Sequence, residues 1–226
     1  MNYRTIFLLL MVLQVRRISR FIMFATILAA GFSNANAENE KRVFMFVTEG
    51  SRDLELMLTA EVAVMRRMLE DAGYTVDIGT SGDQTMTSDS MTLQPTVSLA
   101  EIDIDRYVGV ILPCMAPASD SPTPAKVTEL LKAAVAQEKP IAASRAAVIP
   151  LAEAGGVAGR EYAFASPVDT SQRPEFSGGK FLGIGVVRDG NISTAGICPL
   201  SAISTGEEDG TVELTRSFIE SLAEST

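Results

Sequence analysis

From Val43 to Val47 five apolar residues follow one another without a polar break. Such a run is the signature of a strand buried on both faces. Beyond Glu49-Gly50-Ser51 the period changes. Apolar residues recur at Leu54, Met57, Leu58, Val62, Met65, Met68, Leu69 and Ala72, and Gly73 follows as a C-terminal stop. That spacing predicts an amphipathic helix, with its methionines filling the core. Tyr74 to Ile78 reads as a second strand, so the opening unit is β-α-β with a right-handed crossover between parallel strands.

The same alternation continues. Gly79 to Pro95 is polar and predicts short edge strands or an excursion from the sheet, and Ser98 to Glu101 a brief helical turn. Tyr107 to Leu112 reads as a buried strand, Ala125 to Gln137 as a helix and Pro140 to Ala143 as a further strand. That strand breaks at Ser144-Arg145 into a helical run, Ala146 to Ala154, stopped by Gly155-Gly156. Arg160 to Lys180 shows no period. Asp189-Gly190 divides Val186 to Thr194 into a hairpin, and Gly210 to Ala223 predicts a closing helix. The fold class is therefore α/β: a doubly wound, mostly parallel sheet flanked by helices, a flavodoxin-like sandwich in a single domain.

The first 37 residues differ from the rest. They hold four arginines and no acid, two short apolar runs, and a small-residue end at Ala35-Asn36-Ala37. This is the pattern of a cleaved secretory signal. Each apolar run is too short to span a bilayer, and the basic break between them would lie in lipid. The expected organisation is a signal peptide at 1–37, a mature domain at 38–226, and export to a periplasmic or extracellular space with no membrane attachment after cleavage.

Charge and composition narrow the chemistry. The formal net charge is −9, and removal of the signal's four arginines makes the chain more acidic still. No basic stripe remains for a phosphate backbone, so nucleic acid is not an expected partner. The chain has no histidine, which removes the commonest general base and the commonest nitrogen ligand for metals. Only Cys114 and Cys198 are available as thiolates, too few for a structural zinc site, and the acidic clusters near Glu101 and Glu207 lack the spacing of a calcium loop. Neither metal nor cofactor is expected. In an exported chain two cysteines favour a disulfide.

The order of the parts resembles the ThiJ/PfpI family, within the class I glutamine amidotransferase-like superfamily. The resemblance rests on Lys41 to Thr80, on "YVGVILPCM", on "KPIAASRAAVIPLAEAGG" and on "VVRDGNISTAG", and it spans about Lys41 to Leu222. Family members carry an acid early in the first helix, a Pro-Gly-Gly-type loop after a central strand, and a cysteine at the strand-to-helix elbow, often with a nearby histidine. By position the acid falls on Glu55, the loop on Pro113-Cys114-Met115 without its glycines, and the elbow cysteine on Arg145.

A guanidinium is cationic, donor-only and effectively never deprotonated, so it cannot replace a thiolate nucleophile. The resemblance therefore implies a remnant active site lined by Glu55, Cys114, Ser144 and Arg145. Glu55 and Arg145 are expected to face each other as an ion pair, or Arg145 keeps a free fork for a small anionic ligand. Ser144 reads as a hydrogen-bonded turn residue, having no base to activate it. Both cysteine loops border this rim, where Cys114 and Cys198 could be bridged, could stay separate thiols, or Cys114 could serve as a relocated nucleophile beside Glu55. The resemblance also implies a homodimer. The expected function is a non-catalytic ligand-binding or interaction protein, with a divergent hydrolase or thiol enzyme as the alternative.

Overall fold

The computed structural model describes residues 41–117, 123–165 and 170–225. The expected signal peptide at 1–37 lies outside them. Among the described residues, no helix is long and apolar enough to cross a membrane.

The first strand, β1 (Arg42–Val47), pairs in parallel with β2 (Thr75–Thr80) in register from Arg42–Thr75 to Val47–Thr80. The helical rod between them has three parts. A first turn, α1 (Leu54–Leu56), runs into a π-helical segment, Met57–Val62, and then into α2 (Ala63–Asp71). Asp53 caps its start by accepting the Leu56 backbone N–H at 3.0 Å, and Gly73, at φ +87°, supplies the left-handed stop. The polar stretch after β2 forms the two-stranded excursion β3 (Met86–Thr87) and β4 (Thr92–Leu93).

The sheet continues through β5 (Gly109–Leu112) and, after α3 (Ala125–Ala136), β6 (Ile141–Ser144). A 3-10 turn at Arg145–Ala147 leads into α4 (Val148–Glu153). Two short strands that the sequence pattern does not mark follow, β7 (Glu161–Ala163) within the stretch that shows no period and β8 (Lys180–Gly183) at its end, paired in parallel. Their sequences carry too few apolar positions to announce them. The hairpin forms as expected, with β9 (Val186–Asp189) antiparallel to β10 (Ile192–Ala195). Two helices close the chain, α5 (Pro199–Thr205) and α6 (Thr211–Glu224).

The main sheet has six strands in the order β2-β1-β5-β6-β10-β9, parallel except for β9. Alternate residues of each central strand feed different cores. Phe44, Phe46, Val110 and Leu112 pack with Leu131, Val148 and Leu151. Val43, Met45, Val47 and Ile111 pack on the opposite face with Met57, Met65, Leu214 and Phe218. Burial on both faces is why these strands read as unbroken apolar runs. The strand order reverses between β1 and β5, so a crevice opens beyond their carboxyl ends. The loops after β1, β5, β6 and β10 all reach that edge.

Candidate functional site

The β6–α4 connection keeps the backbone of a nucleophile elbow. Arg145 sits at φ +40°, a left-handed conformation that costs an L-residue about 1–2 kcal/mol. Strain of this kind at the end of a parallel strand is characteristic of sites that hold a reacting group in the open. Here it holds a guanidinium. The loop after β5 is strained in the same sense, with Met115 at φ +53° and Ala116 at φ +40°. The shape of a glycine loop has been kept by residues with side chains. Antiparallel pairing of Ser51 with Pro117, and a 3.0 Å bond from Arg52 N–H to the Ala116 carbonyl, tie the loops after β1 and β5 together.

The carboxylate at the centre of this site is Glu61. Its side chain is fully buried, Oε2 accepts the Met115 backbone N–H at 3.2 Å, and Oε1 has no hydrogen-bond partner in ordinary geometry among the described residues. Burial pushes its pKa up to about 8, and the neighbouring Cys198 adds to the rise. The π-helical segment carries it, and single π turns recur at functional sites. The sequence contains a signal for it. Glu61 stands on the apolar stripe between Leu58 and Met65, where a solvated glutamate has no place.

The ion pair expected between Glu55 and Arg145 does not form. Glu55 lies on the first turn, one stretch of helix before the buried face, and turns toward the β3–β4 excursion. Its carboxylate accepts the Ser90 backbone N–H at 3.1 Å and the Ser90 hydroxyl. Hydrogen bonds from the Ser88 and Ser90 side chains hold its pKa below the usual carboxylate value. Among the described residues no carboxylate forms an ion pair with Arg145, and its Nε is buried without a hydrogen-bond partner.

Ser144 ends β6 and is fully buried. Its hydroxyl lies beside the Glu61 carboxyl, whose pKa it lowers, so it faces the buried acid. Cys114 and Cys198 are brought together, both buried and both free thiols. Cys198 caps α5 in a reciprocal box. Its N–H donates to Ser201 Oγ at 2.8 Å, and that hydroxyl lies 3.3 Å from its sulfur. Hydrogen bonding from the Cys114 thiol, with smaller help from Ser201 and the charge of Arg145, pulls Cys198 down to about 6. The same contact with Cys198, together with burial and the Glu61 carboxyl, pushes Cys114 up.

Outside this buried cluster the Arg145 side chain lines a cavity of about 330 Å³. Phe164, Phe181, Ile184 and Ile197 form its apolar walls, while Ser201 and Thr205 of α5 add hydroxyl groups. A larger hollow of about 440 Å³ lies at the opposite edge of the sheet, near Arg188 and Asn191. Its one guanidinium is already engaged by Glu224 and, at 3.8 Å, by Glu220. The cavity beside the elbow is the one with an uncommitted charge.

Comparison with known proteins agrees with this architecture. The chain is similar in structure to the ThiJ/PfpI domain protein from Brachyspira murdochii, with a TM-score of 0.60 and 15% identity over 81% of this chain and 97% of that one. It is similar to Drosophila melanogaster DJ-1beta at TM-score 0.53 and 23% identity, covering 81% and 97%. A DJ-1 superfamily protein from Agrobacterium tumefaciens matches at TM-score 0.54 and 20% identity, covering 82% and 100%. No curated protein sequence gives a significant match. The DJ-1/PfpI family model matches residues 41–200, from β1 to the start of the helix capped by Cys198, and the chain therefore belongs to the DJ-1/PfpI family.

Proposed function

We propose that this protein is a non-catalytic member of its family that binds a small organic anion. The observation that carries the reading is Arg145. It occupies the strained elbow, lines the adjoining cavity, and makes no ion pair among the described residues. A guanidinium offers a bidentate fork to a carboxylate or phosphate, and charge-assisted bonds of this kind are the strong ones. The aromatic and aliphatic walls call for an apolar body behind the charged head. A few placed polar groups in an otherwise apolar hollow are the usual composition of a small-molecule site.

The elbow offers no nucleophile of its own, because the guanidinium cannot act as one and the chain has no histidine to activate Ser144. The same reading places the mature domain outside the cytoplasm, on the strength of the signal-like first 37 residues. Residue-level sequencing of the secreted chain, expected to begin at Glu38, tests the export. A homodimer is part of the reading through the family resemblance alone, and light scattering of the mature domain tests it.

The binding is tested by calorimetry with butyrate, hexanoate and benzoate against their neutral amides. Affinity should rise with the apolar body, fail for the amides, and fall at least tenfold in Arg145→Met. Equal binding of acids and amides, or unchanged binding in the variant, would remove the basis of the proposal. So would turnover of a small carbonyl compound that survives Arg145→Met.

A further inference from the structure

The two cysteines lie behind the wall of the anion cavity, and they support an inference that does not depend on anion binding. They come from loops at the ends of β5 and β10, 84 positions apart in sequence, yet both are buried free thiols in the same core cluster, where Cys114 hydrogen-bonds Cys198. A third titratable group, Glu61, touches both fields. Nothing in the packing demands this. Burying three ionisable groups together is costly unless their interactions compensate.

We propose that Cys198 and Cys114 form a redox-active pair, in which a small hydroperoxide oxidises Cys198 and Cys114 resolves the product to a reversible disulfide.

The environment distinguishes the two sulfurs. Cys198 has a hydroxyl 3.3 Å away, the Cys114 thiol against it and the positive charge of Arg145 nearby, all of which favour a thiolate. Cys114 has the Glu61 carboxyl as neighbour and keeps its proton. Burial selects the oxidant. Cys198 is wholly buried and Cys114 is 2% exposed, so a bulky disulfide has no approach. Ile197, the residue before Cys198, and Ser201, hydrogen-bonded to it, form part of the cavity wall, so that wall is the side from which a small oxidant would reach the sulfur.

The chemistry balances without further reagents. The Cys198 thiolate attacks one oxygen of hydrogen peroxide; the S–O bond forms, the O–O bond breaks, and the departing hydroxide takes the proton held by Glu61 and leaves as water. The sulfur has lost two electrons and is a sulfenic acid. The Cys114 thiol then gives its proton to Glu61, and its sulfur attacks Cys198. The S–S bond forms, the S–O bond breaks, and the leaving hydroxide recovers that proton as a second water. Glu61 ends as a carboxylate and regains its proton from solvent.

The experiment is peroxide titration of the reduced, folded protein, followed by intact mass and peptide mapping. The expected product has lost two hydrogens, contains a single Cys114–Cys198 cross-link, and returns to the starting mass with dithiothreitol. Methionine sulfoxides are mapped separately. In Cys114→Ser the intermediate should be trapped by dimedone on Cys198, and in Cys198→Ser the Cys114 thiol should stay unreacted. Two results overturn the proposal: oxidised cysteine without a cross-link in the wild-type chain, or thiols untouched while methionines oxidise. Because the wild-type map decides, a variant that folds poorly does not blunt the test.

Discussion

Glu61 Oε2 accepts the backbone N–H of Met115, a residue 54 positions later that is held at φ +53°. The bond joins the π-helical segment to the strained loop after β5, and it explains how each persists. The loop directs an amide into the interior, where a polar acceptor must meet it. The π-helical segment presents a buried glutamate, on the same face as Leu58 and Val62, to provide that acceptor. Neither irregularity is favourable alone.

This arrangement sets a pH dependence of stability. The Glu61 pKa rises from 4.5 to about 8 on folding, so the folded state keeps a proton that the unfolded chain releases. Stability from this group is fully present below 4.5 and is lost as pH rises to about 8, amounting to a few kcal/mol. Cys198 acts with the opposite sign. Its pKa falls from 9.0 to about 6, so its contribution is present above 9 and lost as pH falls toward 6. The two offset each other between about 6 and 8, and Glu61 acts alone between about 5 and 6. Urea midpoints should fall with pH in that lower window for the wild type and be flatter for Glu61→Gln. Parallel curves for the two proteins would show that Glu61 is not held protonated.

At Arg145 the backbone and the side chain make separate demands. The left-handed φ is strained for arginine and free for glycine, while only arginine brings the charge. Arg145→Gly should therefore raise stability by up to about 1 kcal/mol, seen as a higher denaturation midpoint. Arg145→Met keeps the strain and should change stability little, since no ion pair is lost among the described residues. A lower midpoint for the glycine variant would mean that the guanidinium stabilises the fold.

The sheet and its helices were legible because parallel strands buried on both faces give unbroken apolar runs such as Val43 to Val47. The elbow was legible through the abrupt junction at Ser144-Arg145. The acid was legible only in part. Position along the first helix pointed to Glu55, whereas the glutamate the fold buries is Glu61, marked by its place on the apolar stripe between Leu58 and Met65. β7 and β8 were hidden by their shortness and by the charged residues that open them, Glu161 and Lys180. α5 was hidden because its N-cap is a cysteine, a residue seldom found in that role, although Ser201 three places later completes the box.

A second buried polar group holds the opposite edge of the sheet. Tyr107 donates its hydroxyl to Asp77 Oδ2 at 3.0 Å, and Arg42 pairs with the same carboxylate. Burial, then the charge of Asp77, push the Tyr107 pKa up to about 12. Tyr107→Phe keeps the ring contact with Phe44, at 5.6 Å between centroids, and removes only the hydroxyl. Loss of a hydrogen bond to a charged group should cost about 1.5–3 kcal/mol by urea denaturation. An unchanged midpoint would mean that Arg42 and Thr96 satisfy Asp77 without the tyrosine.

Gly109, on β5, tests how closely α6 packs on the sheet. A Cβ there would stand 2.7 Å from Leu222 Cδ2, 3.0 Å from Phe218 Cζ and 2.9 Å from the Pro140 carbonyl oxygen. The two side chains belong to the core and could shift, but the carbonyl is fixed because it accepts the Val110 N–H at 3.0 Å across the β5–β6 ladder. Gly109→Ala must therefore push strand from strand or helix from sheet, at about 1–3 kcal/mol, the range for overpacked cores. Gly185 is the control, with no atom within 4 Å of an added Cβ and no positive φ. Gly185→Ala should be neutral or stabilising by about 0.4–1 kcal/mol through the unfolded chain. Thermal midpoints of the two variants measured side by side separate crowding from the general cost of replacing glycine. Equal shifts in both would show that the helix does not bear on β5 as closely as these distances require.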